Sequence, residues 1–98
     1  MAKYATLYNF TDQGIKAVKE SPARVKAAIA AAAGVGMKVL AIYYTQGPYD
    51  MIAISEADDE KAAAAFALAT AAQGNVTSVT MQAWDPDEFA EIVGMMPG

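Results

Sequence analysis

The sequence contains no cysteine and no histidine in 98 residues. Without cysteine there is no thiol nucleophile, no disulfide and no thiolate metal ligand. Without histidine there is no imidazole general base, no Cys/His zinc site and no His-ligated haem. Basic side chains are few, seven against eleven acidic ones, for a net charge of −4. A domain of that sign repels a phosphate backbone, so no nucleic-acid partner is expected. No apolar run approaches the ~20 residues that a membrane span needs. Residues 2–10 mix Lys3, Thr6 and Asn9 into an alternating pattern, which reads as a strand rather than the apolar core of a signal peptide. No membrane association and a cytoplasmic location are therefore the expectations.

What is abundant is alanine. Hydrophobic residues make up 55% of the chain, and 23 of them are Ala. Alanine favours helix because it loses no side-chain entropy there. It buries little area, and at roughly 25 cal/mol per Å² it adds little to a core. The length fits one domain spanning residues 1–98. A domain of this size buries only about 60–65% of its unfolded surface, which makes help from a partner subunit plausible. Charge is uneven: six of the seven basic residues lie in residues 1–38 and nine of the eleven acidic ones in residues 39–98. Lys16, Lys19, Arg24 and Lys26 read first as a solvated helix face, and second as a basic surface attracting an acidic one on a neighbouring subunit.

Lys3–Thr11 alternates and is rich in β-formers, so it reads as a strand. Thr11–Gly14 reads as a turn or cap. Ser21-Pro22 reads as an N-cap and first helical position, opening a helix that runs to Ala33 and stops at Gly34 and Gly36. Met37–Thr45 and Asp50–Glu56 read as an antiparallel hairpin across Gln46-Gly47-Pro48. Asp58-Asp59-Glu60 caps a second Ala-rich helix over Lys61–Ala72. Val76–Trp84 reads as a fourth strand. Asp85-Pro86-Asp87-Glu88 has the spacing of a capping box and starts a last helix with Phe89, Ile92 and Val93 as its apolar stripe.

The order β-α-β-β-α-β plus a short C-terminal helix is the α+β, ferredoxin-like plan: a four-stranded antiparallel sheet with its long helices on one face. The other face should then be polar, yet the strands are apolar in both parities. Ala5, Leu7, Leu40, Ile42, Ile52 and Ile54 are assigned to the helix side. Tyr4, Thr6, Tyr8, Phe10, Met37, Val39, Ala41, Tyr43, Met51, Ala53 and Ser55 are assigned to the uncovered side, and the parity of residues 76–84 is left open. An uncovered apolar face marks an interface or a ligand site. The partner expected is a second copy, in a homodimer or higher homo-oligomer paired sheet to sheet.

Four segments resemble the GYD domain family. Gly47-Pro48-Tyr49-Asp50 resembles its Gly-x-Tyr-Asp signature, and Tyr4–Gly14 its opening. Ala64-Ala65-Phe66-Ala67-Leu68 with Gly74-Asn75-Val76 resembles its second helix and turn, and Asp85–Phe89 its closing segment. The resemblance spans nearly the whole chain. It implies the dimeric α+β barrel group, whose subunits pair through their sheets, and it implies no catalytic residue.

The candidate pocket-lining residues are Tyr8, Asn9, Phe10, Tyr43, Tyr49, Asp50 and Trp84. Asp50 reads either as a carboxylate at a pocket rim or as an acceptor of backbone N–H bonds that fixes the turn. Tyr49 reads as turn packing before proton donor. Asn9 needs partners for its amide, either in the loop at Thr11 or Asp12 or on a ligand. The aromatics read as interface packing or as the lining of an apolar cavity between subunits. No metal is expected, because Asp58, Asp59 and Glu60 are explained by the helix start. No cofactor is expected either. Gly34-Val35-Gly36 lacks the spacing and the Lys-Ser/Thr of a phosphate loop.

Three functions fit these residues. The first is a small-molecule-binding or regulatory oligomer using a cavity between paired sheets. The second is a cofactor-independent oxygenase or isomerase in which Asn9, Tyr43, Asp50 and Trp84 orient a substrate that supplies its own reactivity. The third is a purely structural assembly module.

Overall fold

The computed structural model describes residues Ala2–Gly98. Strand β1 (Ala2–Phe10) leads into a short helix α1 (Asp12–Lys16), a 3₁₀ turn at Val18–Glu20 and helix α2 (Ser21–Gly34). Strands β2 (Met37–Tyr44) and β3 (Met51–Ala57) form a hairpin, followed by α3 (Glu60–Ala72), β4 (Val76–Ala83) and α4 (Pro86–Gly94). The sheet order is β2-β3-β1-β4 and the pairs are antiparallel. The expected ferredoxin-like architecture is therefore the observed one, including its terminal helix.

Local chemistry sets the helix starts. Thr11 caps α1 by accepting from the Gly14 N–H, and Asp59 caps α3 by accepting from the Lys61 N–H. Asp85 and Glu88 form the full reciprocal capping box on α4, with Pro86 at the first helical position. Ser21 differs from expectation. The 3₁₀ turn runs straight into α2, so Ser21 already has helical angles and is not a cap. Its hydroxyl instead lies 2.8 Å from the Tyr44 hydroxyl, tying the start of α2 to the end of β2.

On β1, on β3 and at Met37 and Val39 of β2 the two sheet faces are the reverse of the assignment made from the sequence pattern, whereas Ala41, Ile42 and Tyr43 lie where it put them. Met51, Ala53, Ser55 and Ala57 of β3 are buried, whereas Ile52, Ile54 and Glu56 are only partly so. Tyr4, Thr6 and Tyr8 share the buried parity through their pairing with Ser55, Ala53 and Met51. The centre of the helix-side core is Ala32, Met37 and Ala57, with Tyr4, Val39 and Phe66 packed around it. Leu7, Ile52 and Ile54 lie on the uncovered face instead, and Ser78 and Thr80 of β4 face the helices.

The physical reason lies on β1. Helices α2 and α3 are rich in Ala, so they bring little bulk to the layer between helix and sheet, and the large Tyr4, Tyr8 and Phe10 fill it. The strand register then carries the small Ala53 and Ser55 of β3 to the same side and turns Ile52 and Ile54 outward. A β-bulge between Val39 and Ala41 then puts Val39 and Ile42 on the same side, which strict alternation cannot do.

Even so, the core is thin. Among the described residues no large side chain is fully buried. The radius of gyration is 15.0 Å, against about 12.6 Å for a compact domain of this length.

Candidate functional site

The uncovered face can be built row by row from the strand register. Tyr43, Ile52, Leu7 and Val79 lie side by side across the four strands. Ala41, Ile54, Ala5 and Met81 form the next row, and Lys38, Glu56, Lys3 and Ala83 the one after. Two contiguous rows are thus wholly apolar, bordered by charge at one end and by Asn9 opposite Thr77 at the other. Val79 is 48% exposed and Met81 46%. Water is a poor neighbour for such a surface, and contiguous patches of this kind mark interaction sites.

Helix α4 adds to it. Lys3 projects from the uncovered face, and its Nζ lies 3.6 Å from Asp85 and 3.7 Å from Glu88. These ion pairs hold the start of α4 at that side of the sheet. The Asp85 carboxyl sits below the usual carboxylate range, first because it accepts the Glu88 backbone N–H and then because Lys3 lies beside it. Phe89 on the α4 stripe is 55% exposed.

The seven residues singled out from the sequence fall in three places. Asn9 and Tyr43 lie on the uncovered face, and Trp84 follows the end of β4, half exposed. Tyr8 and Phe10 point to the other side, into a cavity under the helices. Tyr49 and Asp50 sit in the β2–β3 turn. There Asp50 Oδ2 accepts the Phe10 N–H at 2.8 Å, while the Asp50 N–H donates to the Tyr8 carbonyl, also at 2.8 Å. Its carboxylate stands in for a strand acceptor and extends the β1–β3 pairing past Tyr8. The Tyr49 carbonyl accepts from the Thr45 hydroxyl across the same turn, where Gly47 takes φ +137°.

The loop after β1 is anchored, but by Thr11 and Gln13. The Thr11 N–H donates to the Asn75 carbonyl at 3.1 Å, and the Thr11 hydroxyl to the Gly74 carbonyl at 2.6 Å. Gln13 Nε2 donates to the Gln73 carbonyl at 3.0 Å and to Asn75 Oδ1 at 2.9 Å. This cluster ties the start of α1 to the α3–β4 turn and accounts for Thr11-Asp12-Gln13-Gly14 and Gly74-Asn75 as one structural unit.

The cavity under the helices has a volume of about 80 Å³ and lies between β1–β3, α2 and α3. Its walls are apolar apart from a few side chains, among them Tyr8, Thr70 and Arg24. Burial pushes the Tyr8 phenol up from its ordinary value, with a hydrogen bond to Thr6 opposing the shift. Sequence reasoning placed Arg24 on a solvated basic face; its side chain is partly buried, with Nη1 donating to the Ala17 carbonyl and Nη2 out of contact with solvent. Its position two residues after Pro22, level with the apolar Val25 and Ile29 stripe of α2, was the available signal.

The chain is similar to known proteins over most of its length. The GYD domain family model matches residues 4–93. A protein of Thermus thermophilus, named as a glutamine synthetase and cystathionine beta-lyase binding protein, is 31% identical over 84 residues. The match covers 85% of this chain and 88% of that protein. No solved structure matches significantly.

Proposed function

The chain belongs to the GYD domain family, and from that premise we propose that it is a small binding module that pairs with its own copy and docks onto larger proteins. The observation that carries this reading is the uncovered sheet face, apolar over two complete rows. A four-stranded face of this length spans roughly 19 Å by 24 Å, or on the order of 450 Å² before side-chain relief. A stable dimer needs about 800 Å² per partner. Phe89 and Val93 of α4 are exposed and add apolar surface. Pairing also covers surface that the thin core leaves exposed.

The binding role rests on the relative, which is named for two enzymes that it binds. A dimer presents each remaining surface twice, so two weak contacts act together on a partner with repeated subunits. Among the described residues no helix is long and apolar enough to cross a membrane, and metabolic enzymes as partners fit a cytoplasmic location.

Two measurements test the proposal. Sedimentation equilibrium at micromolar protomer should give a dimer, and Leu7→Lys, in the middle of the uncovered face, should give a folded monomer. Immobilised wild-type protein should then bind purified glutamine synthetase of the same organism, and the monomeric variant should bind it more weakly. A wild-type monomer at these concentrations refutes the pairing. Absence of binding to either enzyme type named for the relative refutes docking on those partners.

A further inference from the structure

The cavity under the helices is walled by polar groups that already have partners and by carbon that does not. The Ser21 hydroxyl lies 2.8 Å from the Tyr44 hydroxyl, and the Thr70 hydroxyl donates to the Phe66 carbonyl at 2.9 Å. Asn75 Oδ1 accepts from Gln13 Nε2 at 2.9 Å. Arg24 donates through Nη1 to the Ala17 carbonyl and lies beside Glu20, and its Nη2 has no surface open to a ligand. The Tyr8 phenol is hydrogen-bonded to Thr6, and burial keeps it un-ionised. An ion entering this space gives up its water and finds these groups committed.

The carbon surface offers more. Phe10, Val25, Ile42, Met51 and Phe66 line the space. Ala28 of α2 and Ala53 of β3 line it too, and each ends at Cβ, where a longer side chain would fill the gap. Buried water needs several polar partners, and an apolar cavity stays dry and takes small apolar molecules instead. The volume of about 80 Å³ is roughly half that of a cavity of about 150 Å³ that admits benzene. A guest of about three or four carbons is the size that fits.

We propose that this cavity binds a small uncharged aliphatic molecule, its carbon chain packed against Ile42, Met51 and Phe66. The site lies inside one subunit and does not depend on the pairing of sheets. Met51 and Ala53 alternate along β3 with Ile52 and Ile54 of the uncovered face, so one strand serves the guest on one side and the docking face on the other.

The test is an amide chemical-shift titration of the intact protein with 1-butanol, beside sodium butyrate, which has the same chain length and a charge. 1-Butanol should shift the amides of Val25, Ile42 and Phe66 saturably, and nuclear Overhauser contacts should join its methyl to Ile42 and Phe66. Butyrate should bind at least about tenfold more weakly, because its carboxylate loses hydration without compensation. Ala28→Leu, which fills the space and leaves the uncovered face alone, should weaken 1-butanol at least about tenfold. Should Ala28→Leu not fold, the Overhauser contacts in the wild type decide the matter. Contacts confined to Leu7, Ile54 and Val79 of the uncovered face, no saturation at tens of millimolar, equal binding of butyrate, or undiminished binding by Ala28→Leu overturn the proposal. Sedimentation of the same samples keeps this outcome separate from that of the dimer.

Discussion

Gly14→Ala and Gly34→Ala are the same chemical change with opposite expected signs. Gly14 is buried in α1, where a Cβ would stand 1.9 Å from the Asn75 carbonyl oxygen and 2.9 Å from its carbon. Both atoms are backbone, so no rotamer change makes room. Asn75 must move by more than an ångström, and with it go the bonds from Thr11 and Gln13 to residues 73–75. Overpacking costs about 1–3 kcal/mol, and each hydrogen bond loosened adds about 1 kcal/mol. A loss of about 3 kcal/mol or more is a large share of the ~5–15 kcal/mol that a domain possesses. At about 4–8 °C per kcal/mol it lowers the Tm by at least about 12 °C. Gly34, at the end of α2, has nothing within 4 Å of its added Cβ and no positive φ. There alanine should stabilise by about 0.5 kcal/mol through helix propensity and the unfolded-chain entropy, raising the Tm by about 2–4 °C. Thermal and urea melts followed by circular dichroism, at one fixed protomer concentration, provide the comparison. Similar shifts for both variants, or a Gly14→Ala within about 1 kcal/mol of wild type, would refute the account of the loop as a rigid clamp.

Other outcomes follow from single contacts. Asp50→Ala should destabilise by about 1–2 kcal/mol, because the Phe10 N–H loses its acceptor, and hydrogen exchange at Phe10 should accelerate while that of Ala5 changes less. The buried Tyr8 phenol has a raised folded pKa, so its contribution is complete below the ordinary tyrosine value and is lost as pH rises through the folded value. Ultraviolet titration should show one tyrosine ionising late, a step missing in Tyr8→Phe. Asp85 has the reverse sign. Its folded pKa is lowered, so its stabilisation of α4 is present above the ordinary carboxylate value and disappears as pH falls through the lowered one. The amides at the start of α4 should lose protection in that acid range, and Asp85→Ala should lack both the protection and its pH dependence.

The uncovered face and the helix-side cavity divide the aromatic residues between two tasks. Tyr43 lies on the uncovered apolar face, 67% exposed. Tyr8 and Phe10, on a neighbouring strand but of the opposite parity, wall an interior space. Asp50 sits at the junction and fixes the β3–β1 pairing on which both depend. The Gly47-Pro48-Tyr49-Asp50 segment therefore acts through the backbone first: it sets the strand register that decides which side chains each face receives.

The sequence by itself determined the order of elements, the caps at Asp59 and Asp85, the hairpin at Gly47-Pro48 and the excess of apolar residues over what one helix layer can cover. These follow from local rules of periodicity, capping and composition, which act within a few residues. Tertiary structure alone decided which apolar set faces the helices. Alternation fixes that two faces exist but not which one the helices cover; the strand register sets Ala53 and Ser55 beside Thr6 and Tyr4 on the helix side, and a bulge at Leu40 changes the parity midway along β2. The same holds for Arg24. Its spacing along α2 does not say where its head goes, and only the tertiary structure brings Nη1 to the Ala17 carbonyl and buries Nη2.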